Sequence, residues 1–269
     1  MIDFDAINQG FSRESQSYDA DDETNSIIRW ARAVVRKTVT HYVSSGGSVL
    51  EINAGTGSDA LWLVKHGYRV HATDIADGMI VTIRSKIESS GLADSFTAQQ
   101  LSFTELEQTT NAPFDGVFSN FGGLNCLPDL SVVARGVRHV LKPGGWVVWV
   151  IMPPICPWEL VQVLRGHWRT AIRRLRRGGV MANVRGAQIM TYYFTPSRIR
   201  RALGPEFRVE SLQSFSLFCP PMYMQGFSKR FPRLTENLMR FDEHLGRLPL
   251  LNSWGDFFIL TARYTPSHV

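Results

Sequence analysis

Two glycines, Gly55 and Gly57, fall in the stretch VLEINAGTGSDA directly after an apolar run, and a carboxylate, Asp74, ends the next apolar run about 17 residues beyond Gly57. A glycine-rich turn between a strand and a helix lets a ligand approach the backbone closely. An acidic residue at the end of the following strand can accept hydrogen bonds from ribose hydroxyls. The spacing Gly55-x-Gly57-x-x-Ala60 formally matches the dinucleotide fingerprint, so these residues by themselves fit NAD and S-adenosylmethionine equally. Glu51 shifts the balance. A carboxylate inside the strand just before the loop repels a diphosphate and attracts an ammonium, and the methionine end of S-adenosylmethionine carries such an ammonium.

These groups need elements to hold them. Ile27, Ile28, Ala31, Val34, Val35 and Val39 recur at spacings of three and four, which predicts an amphipathic helix over residues 25 to 43. GGSVLEINA reads as a buried strand, SDALWLVKHG as a helix closed near Gly67, YRVHATDI as a strand and ADGMIVTIRSKIESSG as a helix. APFDGVFSNFG is the next strand, LPDLSVVARGVRHVL a helix, KPGG a turn and WVVWVIM an apolar strand. The expected fold is α/β, a doubly wound Rossmann-like sheet, mostly parallel with an antiparallel last strand, plus an inserted cap. FRVESLQSFSLFCPP and WGDFFILTARY supply the late strands. Residues 1–44 form a helical segment and lid and 45–152 the cofactor-binding core. Residues 153–190 and 220–250 form a substrate cap over the carboxyl edge, and 191–219 with 251–269 complete the core.

The run VLEINAGTGSDALWLVKHGYRVHATDIADGMI resembles the first two motifs of class I S-adenosylmethionine-dependent methyltransferases. FDGVFSNFGGLNCL resembles their fourth motif, and VLKPGGWVVWVIM their segment around strand five. The resemblance implies S-adenosylmethionine as cofactor, with Glu51 near the methionine amino group and Asn53, Ala54, Gly55 and Gly57 bordering the ligand. It implies that Asp74 holds the ribose and Ile75 packs on adenine. QQLSFTEL lacks the acid usual at the third motif, leaving Ser102 and Phe103 beside the adenine, while Asn120 and Phe121 face the reactive end. Asn53 replaces a residue that is often glycine, and asparagine tolerates the left-handed conformation.

Methyl transfer from a sulfonium is an in-line displacement that requires an aligned acceptor, and a dedicated base is optional. Tyr18, His41, His167 and Tyr193 are the base candidates, each with an ordinary structural or surface role as the plainer reading. Tyr18 lies in an N-terminal segment suited to closing over the site, and Tyr18, Asn125 and Tyr193 are candidates for substrate contact. The cap's aromatic and methionine residues suit an apolar pocket. The expected reaction is methylation of O, N or C on a small, apolar or aromatic metabolite. Alternatives are a lipid or quinone methyltransferase at the membrane surface, an NAD(P)-dependent oxidoreductase and a non-catalytic cofactor-binding protein.

ELVQVLRGHWRTAIRRLRRGG places Arg165, Arg169, Arg173 and Arg176 or Arg177 at successive helical turns, with Leu160, Leu164, Trp168, Ile172 and Leu175 on another face. One reading of this 159–177 helix packs its apolar face on the core. The other gives it contact with anionic lipid at a membrane surface or with an acidic substrate. The chain has 269 residues, 44% hydrophobic and 20% charged, with a formal charge of +5, which suits a globular protein with a sizeable core. No signal sequence or membrane span is recognisable, and Cys126, Cys156 and Cys219 are too scattered for a zinc site or a disulfide framework. The expectation is a cytoplasmic enzyme without a metal and without a nucleic-acid partner, its oligomeric state open.

Overall fold

The computed structural model describes residues 2–176 and 178–266, apart from the side chains of Asp21 and Arg165. The strands are β1 (Ser48–Ile52), β2 (Arg69–Asp74), β3 (Phe96–Gln100), β4 (Phe114–Ser119), β5 (Leu141–Ile151), β6 (Val180–Val184), β7 (Ala187–Thr191), β8 (Phe207–Phe215) and β9 (Phe257–Tyr264). The helices are α1 (Phe4–Thr24), α2 (Ser26–Tyr42), α3 (Ser58–Lys65), α4 (Asp77–Ser90), α5 (Ser131–Val140), α6 (Pro157–Leu160), α7 (Trp168–Ile172), α8 (Pro196–Leu203), α9 (Gln225–Arg230) and α10 (Pro232–Leu245).

Seven strands form one sheet in the order β3-β2-β1-β4-β5-β9-β8, and β6 with β7 forms a separate hairpin. The first five strands are parallel, and β9, the last in the chain, runs antiparallel between β5 and β8. Order reverses at β1 and β4, so the crevice of the sheet opens beyond the carboxyl ends of those two strands, where the glycine loop begins.

Both faces are covered because the central strands are apolar at alternate positions on each side. Leu50, Ile52, Val117, Val147, Trp149 and Ile151 join the layer beneath α5 and α8. Val49, Phe118, Val148 and Val150 join the layer beneath α2, α3 and α4. Burying each such aliphatic side chain contributes about 1.5–3 kcal/mol, which makes the sheet the rigid base on which the loops stand.

Two expectations need correction, and a third stretch gains detail. KPGG is not a turn that precedes a strand: it lies within β5, where Gly144 at φ +81 accommodates a shift in register between the Phe114–Leu141 and Gly116–Trp146 pairs. The 153–190 stretch contains the β6–β7 hairpin, which packs on α1 so closely that a Cβ on Gly10 would meet the Ala187 Cβ at 2.9 Å. The 159–177 segment is not one helix. It breaks into α6, a 3-10 turn, α7 and a second 3-10 turn, with Gly166 left-handed at φ +79. Its apolar residues face outward, whereas Arg173 and Arg174 fold inward onto the buried Glu159, and Arg177 lies outside the described residues. A carboxylate with 1% exposure needs a compensating cation, and that demand overrides helical periodicity.

Within 220–250, Asp242 accepts hydrogen bonds from the backbone N–H groups of Leu217, Phe218 and Cys219, fastening α10 to the loop after β8. Trp30 Nε1 donates to Glu243 at 2.8 Å and ties the same helix to α2. Among the described residues, no helix is long and apolar enough to cross a membrane.

Candidate active site

The loop after β1 turns sharply because Asn53, Gly55 and Gly57 all adopt positive φ, at 47, 57 and 73 degrees. Asn53 holds this shape through its side chain, accepting from Ser119 Oγ at 2.8 Å and donating to the Asn120 carbonyl at 3.3 Å. The loops after β1 and β4 are thereby locked together.

α1 lies across this loop. The Tyr18 ring stands 3.8 Å from the position a Cβ on Gly55 would take. Asp19 accepts from Thr56 Oγ1 at 2.6 Å and Ser58 Oγ at 2.9 Å, and pairs with Lys86 at 2.7 Å. Farther back, Gly78 N–H donates to Ser12 Oγ at 3.0 Å, and Asn8 joins Asp77 at 3.0 Å. α1 is therefore hydrogen-bonded to the loop after β1 and to the start of α4.

Behind Tyr18 lies a buried network of charges. Asp59 receives Arg32, Arg36 Nε at 2.7 Å and Asn120 Nδ2 at 2.8 Å, and Arg32 also pairs with Asp22 at 2.7 Å. The Arg32 guanidinium lies 4.8 Å from the Phe121 ring centroid, a cation–π distance. Burial acts to raise the Asp59 carboxyl, and Arg32 and Arg36 overcome it, holding the group below its ordinary range. Glu51 is different: burial first and then Asp59 push its carboxyl well above the ordinary value, and its Oε2 has no partner. The Nε of Arg32 also has none. The buried network behind Tyr18 thus leaves Glu51 Oε2 and Arg32 Nε unsatisfied.

On the other side of the loop, Asp74 Oδ2 accepts from Gly55 N–H and Oδ1 from Ala76 N–H, both at 2.9 Å. Burial raises this carboxyl to about 6 despite those hydrogen bonds. Each oxygen keeps a lone pair for a ligand hydroxyl.

A cavity of about 430 Å³ lies beneath α1. Tyr18, Asn53, Gly55, Asp74, Ile75, Phe103, Asn120 and Phe121 line it. Ile7 and Phe11 of α1 and Val184 and Ile189 of the hairpin add apolar lining, and Arg173, Arg174, Tyr193, Tyr223 and Asp256 add polar lining. Arg174 is nearly buried and bonds Glu159 at 2.7 Å and Asp256 at 2.6 Å, and its guanidinium lies 5.2 Å from the Tyr193 ring centroid. Cys156, Glu159 and Asp256 lie within 4.8 Å of one another, but the two arginines already supply the positive charge that a metal ion would bring.

Comparison with known proteins agrees with this geometry. Residues 49–145 match the family model described as a methyltransferase domain. An S-adenosyl-L-methionine-dependent Diels-Alderase, iccD, from Talaromyces variabilis is 33% identical over 102 residues, 38% of this chain and 35% of that protein. Phosphatidylethanolamine N-methyltransferase from Cereibacter sphaeroides is 32% identical over 113 residues, 42% of this chain and 54% of that protein. The matched stretch of the methyltransferase domain thus spans from about a third to just over half of the length of these curated relatives. A solved structure of 1,6-didemethyltoxoflavin-N1-methyltransferase from Burkholderia thailandensis, with S-adenosylhomocysteine bound, superposes with a TM-score of 0.57 at 14% identity. It covers 97% of this chain and 88% of that one, which establishes the shared fold.

The cavity beneath α1 brings together most of the residues singled out by sequence. Asn53, Gly55, Asp74, Ile75, Phe103, Asn120, Phe121, Tyr18 and Tyr193 all line it. Glu51, Ala54, Gly57 and Ser102 lie outside its lining. Gly57 caps α3, Ala54 N–H donates to the Thr73 carbonyl, and Ser102 Oγ pairs with Thr104 Oγ1 at 2.7 Å. Asn125 requires correction as a substrate contact. Its Nδ2 donates to the Met152 and Tyr192 carbonyls and its Oδ1 accepts from Met152 N–H, so the amide is spent on tying backbone segments together. His41 sits on the outer side of α2 and His167 is exposed before α7, both away from the cavity.

Arg32, Asp59 and Asp256 escape the sequence reading. Arg32 leaves a signal: it falls between Ile28 and Val35 in the apolar stripe of α2, where a charged residue needs a buried partner.

Proposed function

We propose that the protein is an S-adenosylmethionine-dependent methyltransferase that methylates a small, largely apolar molecule in the cavity beneath α1. The observation that carries this reading is the pair of unsatisfied groups in the buried network behind Tyr18, Glu51 Oε2 and Arg32 Nε. An α-amino acid zwitterion supplies an ammonium for the first and a carboxylate for the second. A dinucleotide supplies neither. Moreover, the start of α3, where a diphosphate would lie, is already occupied by the Asp19 carboxylate, which argues against the oxidoreductase reading.

When bound, the cofactor supplies an electrophilic methyl on a sulfonium. The chain's part is to bind, orient and exclude water. Asp74 fits the ribose hydroxyls, and Ile75, Met79 and Phe103 form the wall for the adenine. Tyr18 lies over Gly55, and Asn120 and Phe121 line the same cavity. Alignment of acceptor and methyl then accounts for most of the rate. Burial, partly offset by Arg32, raises the Tyr18 phenol to about 12, and burial raises the Cys126 thiol to about 12. Both stay protonated at neutral pH, so neither serves as the base, and the reading favours an acceptor that is nucleophilic without one. Two phenols and two guanidiniums in the cavity wall suit an oxygen function on an otherwise apolar substrate. Three unpaired thiols fit a reducing compartment, and we assign the protein to the cytoplasm.

Asp74 gives the reading a pH signature. Its carboxyl titrates near 6 in the free protein, and the ionised form is the better acceptor for ribose hydroxyls. Affinity for S-adenosylhomocysteine is therefore expected to be flat above pH 7 and to fall below about 6, by up to about tenfold per unit for one proton. Asp74→Asn should flatten that limb in calorimetric titrations from pH 5 to 8. A full-strength pH dependence in the variant would assign the titration elsewhere.

The activity itself is tested with methyl-labelled S-adenosylmethionine and a panel of small amines, phenols and enols. Acceptor-dependent release of S-adenosylhomocysteine supports methyl transfer. Tight binding of both adenosyl ligands with no turnover on any acceptor would replace it by a cofactor-binding role.

A further inference from the structure

An amphipathic segment ordinarily turns its apolar side to the core, and between β5 and β6 the opposite holds. Leu164 is 84% exposed and Trp168 55% exposed, and Val161, Val163 and Leu175 are exposed beside them. Val161, Val163, Leu164 and Leu175, with Trp254, border a groove of about 610 Å³ whose lining is wholly apolar. Monomeric proteins rarely leave a contiguous apolar patch of this kind uncovered unless it meets a partner.

The charge around it names the partner. Residues 160–180 contain six arginines and neither aspartate nor glutamate. Glu159 and Asp256 neutralise Arg173 and Arg174 inside the fold, and Arg169 and Arg176 have no acid in their own segment. Arg169 and Arg176 make no ion pair among the described residues, and Arg169 stacks near Trp168 at 5.5 Å from the ring centroid. Exposed tryptophan and leucine flanked by arginine is the composition that settles at the boundary of headgroups and acyl chains. A second copy of the chain fits poorly, because apposing two such tips brings like charges together.

We propose that the tip formed by residues 160–176, together with Trp254, docks the protein on an anionic membrane surface. The apolar side chains insert at the headgroup boundary while the arginines pair with lipid phosphates. Proteins of this kind need no spanning helix, since shallow burial of a few large side chains and several basic residues act together.

The test is flotation of the full chain with vesicles of phosphatidylcholine containing about 30% phosphatidylglycerol, against phosphatidylcholine alone, at low salt. Binding to the anionic vesicles is expected, with Leu164→Glu and Arg169→Glu each weakening it by on the order of 30-fold. Arg84→Glu, an equal charge change on the exposed side of α4, should leave binding within about twofold. Both tip residues are exposed, and titration with S-adenosylhomocysteine and a melting curve verify that the variants are folded. Absence of binding to anionic vesicles overturns the proposal. So does an equal loss with Arg84→Glu, which would reduce the effect to net charge, or a concentration-dependent dimer abolished by Leu164→Glu, which would assign the patch to self-association.

Discussion

Asp74→Ala is expected to weaken S-adenosylhomocysteine binding by two orders of magnitude or more while leaving a folded protein. Hydrogen bonds to a charged group contribute about 1.5–3 kcal/mol each, and two ribose hydroxyls on one carboxylate reach the 2.7 kcal/mol or so that a hundredfold requires. The same carboxylate anchors the glycine loop through Gly55 N–H and the turn into α4 through Ala76 N–H. Its loss therefore also loosens the loop that borders the ligand. Fold stability suffers less, because the buried carboxyl, raised to about 6, is a poorly solvated charge whose removal offsets part of the lost bonding. Calorimetric titration beside a melting curve separates the two effects. Affinity within about threefold of wild type would remove Asp74 from the cofactor site.

Arg32→Met carries the largest expected cost in stability. It leaves Asp59, buried to 1% exposure, with Arg36 as its one remaining cation, and leaves Asp22 without its arginine. Breaking a buried ion pair from one side costs about 3–5 kcal/mol, which for a chain of this size lowers Tm by roughly 10 °C. The loss should depend on pH in a definite sense. In the wild type Asp59 is held below the ordinary carboxylate range against the effect of burial, so its contribution is present above that range and fades as pH falls through the lowered value. Without Arg32 the carboxyl rises, and the deficit is greatest near neutrality and narrows toward pH 4. Arg32→Met combined with Asp59→Asn should recover part of the stability. No recovery in the double variant, or a deficit independent of pH, would show that Arg32 acts through packing alone.

Sequence carried the central architecture well because each core element repeats a strong local pattern. Strands β1, β2, β4 and β9 are short apolar runs bounded by turns, and α2 and α5 keep a helical stripe. The glycine loop and Asp74 were legible for the same reason, since left-handed turns and strand-end acids leave marks within a few residues. What escaped is non-local. Arg32 and Asp59 are 27 positions apart, and Arg174 and Asp256 are 82 apart, so nothing in their neighbourhoods announces the pairing. Asn125 looks like a ligand residue in its local motif, yet its amide is consumed by two carbonyls brought in from β5's end and from the chain after β7. The 159–177 stretch shows the limit most plainly. A helical stripe predicts a buried apolar face only when the core offers it a surface, and here the buried Glu159 draws the arginines inward and turns the leucines out.

The central claim is that the crevice at the end of β1 holds the amino acid and adenosine of one ligand. Its most direct test is calorimetric titration of the purified protein with S-adenosylmethionine, S-adenosylhomocysteine and NAD side by side. Binding of the two adenosyl ligands at micromolar concentrations or tighter, with no heat from NAD, is the predicted result. Saturable binding of NAD with none of S-adenosylhomocysteine would contradict it, and would mean that neither Glu51 nor Arg32 faces a ligand zwitterion.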